Sequence, residues 1–181
     1  MKINRTGLPL LLSAALAGCV AAPAPPPPPP PAPRSTPAAP PSLPAPAPRD
    51  WRDAAQTPGE WRYGQTPGGS QARFVSTAGD AIVTLRCDRA AGTVTLYRNG
   101  AASAPLPATI TTTSESRVVT AAPVAAATPA MVALAFARND RLLDAMAFSR
   151  GRFSIDINGL PVLYLPAWAE LGRVVEDCRR V

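Results

Sequence analysis

The chain has 181 residues, a formal net charge of +6 and no histidine. Without an imidazole, Ser-His-Asp and Cys-His catalysis are excluded, together with the commonest metal ligand. The positive balance does not point to nucleic acid. Over residues 50–181, 14 arginines face 12 acidic residues, with no basic run interleaved with aromatics, so no nucleic-acid partner is expected.

At the N-terminus, Lys2 and Arg5 precede a short apolar stretch from Leu8 to Leu16. This is the layout of a secretory leader, too short to span a bilayer. It closes on Leu16-Ala17-Gly18-Cys19, which resembles the lipobox of bacterial lipoproteins: Leu, two small residues, then Cys. The resemblance implies that residues 1–18 are a signal peptide, removed to leave Cys19 as a lipidated N-terminus. More than one acyl chain on that residue gives a stable anchor where a single chain does not. Val20 stands where an inner-membrane retention signal commonly has Asp. By the same resemblance the chain is expected at the outer membrane, with its domain facing the periplasm. The alternative is an ordinary leader with an incidental cysteine.

Residues 19–49 form an Ala/Pro-rich linker holding 15 of the 24 prolines, including an unbroken run from Pro25 to Pro31. Proline fixes φ and lacks an N–H, so neither helix nor sheet is expected. An extended polyproline segment rises about 3.1 Å per residue. The linker then reaches on the order of 80 Å if fully stiff. A spacer is the simplest reading, and a docking peptide for a proline-recognising partner is the other.

Residues 50–181 read as one β-rich domain. Trp51, Trp61 and Tyr63 cluster at its start. They are either a glycan-stacking surface or the first strand's share of the core. Ala81, Val83, Leu85 and Cys87 alternate with polar or outward residues, and Val94 and Leu96 repeat the rhythm beyond an Ala90-Ala91-Gly92 turn. Further strands are expected at 109–113, 117–120 and 131–136, with Ala/Pro loops at 101–108 and 121–130. Asp140 is placed to cap a short helix containing Leu142, Leu143 and Met146. Phe153, Ile155 and Ile157 alternate up to Asn158-Gly159, a strong hairpin cue, with the return at Val162–Leu165. Pro166 suits a helix start, after which Trp168, Leu171, Val174, Val175 and Cys178 recur at helical spacing. The order of elements predicts a mainly β (α+β) fold, a small antiparallel β-sandwich or half-barrel with a C-terminal helix packed on it.

With Cys19 assigned to lipid, Cys87 and Cys178 remain as an even pair in an oxidising compartment, both on core-facing stripes. They are expected either to form a disulfide or to be two separate buried thiols. A bridge closes a loop of about ninety residues, worth roughly 4–5 kcal/mol in the chain-entropy model before strain. The carboxylate pairs Asp53/Glu60, Asp140/Asp144 and Glu176/Asp177 read as surface charges or caps. They do not read as an acid/base couple, so no catalytic residue, metal or cofactor is expected. Ser149-Arg150-Gly151-Arg152 sets two guanidinium groups around a glycine, suited to a carboxylate or phosphate, although a turn with solvated charges explains it equally.

Gly59-Glu60-Trp61, Leu85-Arg86-Cys87, Gly159-Leu160 and a final helix ending in Cys178 are similar to small periplasmic β-sandwich proteins. These include the invasion-associated locus B family, VasI-like type VI secretion accessory proteins and lipoproteins of alphaproteobacteria. The likeness implies a sandwich bridged between Cys87 and the terminal helix. The functional expectation is a membrane-anchored, non-catalytic domain that binds an envelope protein or serves as a structural accessory. The alternative is a peptidoglycan or glycan binder.

Overall fold

The computed structural model describes residues 50–180. Cys19, the expected leader and the Ala/Pro-rich linker lie outside them. A short 3-10 turn (Trp51–Asp53) leads into nine strands: β1 Glu60–Thr66, β2 Gly69–Val75, β3 Ala81–Asp88, β4 Thr93–Asn99, β5 Leu106–Thr111, β6 Ser116–Pro123, β7 Met131–Ala137, β8 Arg152–Ile157 and β9 Leu163–Pro166. Helix α1 (Arg141–Ala147) lies between β7 and β8, and α2 (Ala169–Arg179) closes the described chain. All the strand pairings are antiparallel, in the spatial order β1-β2-β3-β4-β7-β6-β5-β8-β9. The sheet curls into a half-barrel, and α2 packs against β1 to β4.

Period-two patterning explains which face the curl encloses. Phe74, Val83, Leu85, Val94, Leu96, Leu134, Ile110, Phe153, Ile155 and Leu165 all point inward and are buried. The residues that alternate with them along each strand stay at least partly exposed over most of the sheet. The register puts like with like: Leu85 opposite Leu96, Leu96 opposite Leu134, Ile110 opposite Ile155. α2 contributes Leu171, Val174, Val175 and Cys178 to the same core. The β6–β7 seam is the short one, with only Ala122↔Ala133 and Pro123↔Val132 paired.

The segment before β1 ties the two ends of the sheet together. Thr57 N–H donates to the Tyr164 carbonyl (2.9 Å), and Tyr164 N–H donates to Thr57 Oγ1 (3.0 Å). From β1 itself, the Trp61 indole N–H donates to the Pro166 carbonyl at 2.8 Å. These bonds cover the β9 edge, which would otherwise present unpaired backbone groups.

Some boundaries differ from those expected. Pro166 ends β9 opposite Arg152 and does not start the helix, which begins at Ala169 with Trp168 as its N-cap. A proline suits a strand end as well as a first helical turn, and here the ladder with β8 claims it. Trp168, assigned by spacing to the apolar stripe, is 43% exposed. The segments expected as loops at 101–108 and 121–130 yield Leu106–Ala108 to β5 and Ala121–Pro123 to β6.

Candidate functional site

Helix α1 begins as its sequence predicts. Asp140 accepts a hydrogen bond from Leu142 N–H at 2.9 Å and also receives the Arg117 guanidinium at 2.6 Å. Leu142, Leu143 and Met146 are buried. At about 100° per residue, Phe148 falls roughly 190° from the centre of that stripe, on the outer side of the helix with Arg141 and Asp144. Phe148 accordingly caps the helix at its C-terminal end and is 75% exposed. An aromatic ring that open is unusual where others of its kind are buried.

Besides a concavity of only about 110 Å³, Phe148 borders two sizeable ones. The larger, about 860 Å³, is also lined by Arg52, Ser114, Glu115, Arg141 and Arg150. The smaller, about 450 Å³, runs along α2 past Ala169, Arg173, Glu176 and Arg180. The floor of the larger is stitched by hydrogen bonds. Thr112 Oγ1 accepts from Glu115 N–H (3.0 Å). Thr113 N–H donates to the buried Ser149 hydroxyl (3.1 Å), and Arg150 N–H donates to Thr113 Oγ1 (3.1 Å). The β5–β6 turn and the segment after α1 therefore hold one another in place.

The residues singled out from sequence are distributed unevenly. Trp61 is 4% exposed, edge-on to Phe74 with ring centroids 5.2 Å apart. A glycan platform built on Trp61 is thereby corrected: its ring lies in the core and its one N–H is already bonded. Tyr63 is half-buried, its hydroxyl donating to Asp177 (2.6 Å) and its ring lying under Arg173, with the guanidinium carbon 4.0 Å from the centroid. The carboxyl of Asp177 is held below the usual range. Partial burial pushes it up, but the Tyr63 hydrogen bond and nearby Arg173 and Arg180 outweigh that. Trp51 is stacked by Arg52 (4.9 Å). Of the Arg150/Arg152 pair, Arg150 opens to the larger groove, whereas Arg152 turns inward to the Ala54 carbonyl.

Cys87 and Cys178 are joined as a disulfide, with Cα atoms 5.4 Å apart, linking β3 to α2. Gly69 lies directly over it. A Cβ there would meet the Cys87 carbonyl oxygen at 2.5 Å, so the close approach of β2 requires glycine. Among the carboxylates considered from sequence, Asp140 caps α1, and Asp144 takes a two-pronged pair from Arg179 at 2.7 and 2.9 Å. No helix of the described residues is long and apolar enough to cross a membrane. Comparison with protein-family models, curated proteins and solved structures returns no match.

Proposed function

We propose that this chain is an envelope lipoprotein, anchored through Cys19 and spaced by its proline-rich linker, whose domain binds a protein partner through the face centred on Phe148. The observation that carries the binding reading is a 75% exposed phenylalanine between two arginine-bearing concavities. Binding energy at protein interfaces concentrates in aromatic anchors and arginines near the centre of the contact, so this combination suits a partner protein. The glycan reading loses its central ring, since Trp61 is buried. The anchor rests on the sequence Leu16-Ala17-Gly18-Cys19 and its likeness to lipoprotein signals.

Two measurements test the two halves separately. Fatty-acid labelling of cells should mark the wild-type chain and leave Cys19→Ser unmarked. Equal labelling, or none in either, removes the anchor. In-cell crosslinking from a photoreactive residue at position 148 should give a discrete protein adduct. The same probe at Val118, an exposed residue on β6 (68%), should not. Identical adducts from both positions, or none from 148, would remove the binding face.

A further inference from the structure

The larger concavity differs from the smaller in how its charges are already used. Asp144 is engaged by Arg179. Asp140 is engaged by Arg117 and by the helix N-terminus. Arg52 is paired with Asp50 at 3.1 Å. Among the described residues, Arg141 and Arg150 have no acidic partner within ion-pair distance, and both are exposed on the groove. The only acid of the lining not engaged in such a pair is Glu115. Asp140 and Asp144 are thus held by other arginines while Glu115 is not, and two guanidinium forks are left on the groove beside an open aromatic ring.

We infer that this groove takes an extended acidic segment of the partner protein, with carboxylates paired to Arg141 and Arg150 and an apolar side chain laid on Phe148. The inference rests on the protein-binding reading above and names the chemistry of its partner. A guanidinium presents its donors in a planar fork that matches a carboxylate two bonds at a time. The stitched 112–115 turn and the Ser149 anchor keep the groove formed before the ligand arrives, which lowers the ordering cost of binding. A uniform polyanion, such as nucleic acid or an anionic lipid surface, fits less well. It would set negative charge against Glu115, the lining acid without an ion pair among the described residues. A peptide can alternate its charges and carry the apolar side chain that Phe148 accommodates.

The test uses the full chain in living cells, with photoreactive residues at position 145, inside the groove, and at position 148. Sequenced adducts from position 145 should carry at least two Asp or Glu beside the crosslinked site. The double charge reversal Arg141→Glu/Arg150→Glu should cut adduct yield about tenfold or more, as expected for charge pairs placed against like charge. Reversing the partner's mapped acids to Arg should restore it. If the reversed variant does not fold, judged by its thermal midpoint, Arg150→Gln and the salt dependence of the adduct take its place, with loss of yield expected in each. Adducts that persist unchanged in these variants, or that map to a neutral or basic segment, overturn the acidic-segment inference and leave the Phe148 face standing. A lipid or glycan adduct, or no protein adduct from either position, overturns both.

Discussion

The seam where α2 meets the first three strands and the face where α1 ends use similar residues to opposite effect. In the seam, Trp61 is enclosed and bonded to Pro166, Tyr63 is bonded to Asp177, and Cys87 is joined to Cys178. At the face, Phe148 stands open, and Arg141 and Arg150 have no ion pair among the described residues. Groups that satisfy one another contribute to folding. Groups left unsatisfied at a rigid surface contribute little to stability and are available to a ligand. With the proposed binding face, the contrast gives stability to one region and recognition to the other, and substitution separates them.

The largest effect is expected at the seam's aromatic anchor. Trp61→Ala removes a buried ring and strands the Pro166 carbonyl, and should lower unfolding free energy by about 3–5 kcal/mol in denaturant titration. Next comes the disulfide. Replacing Cys87 and Cys178 with Ala should cost roughly 2–4 kcal/mol, the usual range for a disulfide and below the chain-entropy value for so long a loop, read as a lower thermal midpoint under identical non-reducing conditions. Gly69→Ala forces a Cβ onto the Cys87 carbonyl and should cost about 1–3 kcal/mol.

Tyr63→Phe removes one hydrogen bond from Asp177 and should cost about 1 kcal/mol at neutral pH. Its pH dependence has a defined sign. Asp177 titrates below its ordinary range when folded, so its contribution is present above the unfolded value of about 3.9. It fades as pH falls through the folded value. The gap between wild type and Tyr63→Phe in unfolding titrations should therefore narrow in strong acid. A gap that widens there would remove Asp177 from the seam. The smallest stability effect is expected at the other region, where Phe148→Ala should stay within about 0.5 kcal/mol of wild type.

The same division governs how much of the molecule could be read in the sequence. Strands such as Ala81–Asp88 and Arg152–Ile157 are legible because one face is apolar at period two. Asp140 is legible because a cap sits directly before its helix. The half-barrel with a packed C-terminal helix follows from that order of elements. The end of β9 at Pro166 is less legible, since proline tolerates both outcomes and long-range pairing with Arg152 decides. Trp61 and Phe148 show the same limit for single aromatics. Composition does not say which ring is enclosed, because that depends on partners about a hundred residues away, such as Pro166 for Trp61. One signal for Phe148 was present: an apolar residue on the polar side of an amphipathic helix, opposite Leu142, Leu143 and Met146. That two arginines are left without ion pairs is not legible at all, because it follows from which acids the fold brings to Arg117 and Arg179.

Full-length Phe148→Asp, assayed both for its unfolding midpoint and for capture of the crosslinked partner, tests the separation of recognition from stability most directly. An unchanged midpoint with the partner lost is expected. A variant that unfolds early, or one that stays folded and keeps its partner at wild-type yield, would show that the Phe148 face does not separate recognition from stability.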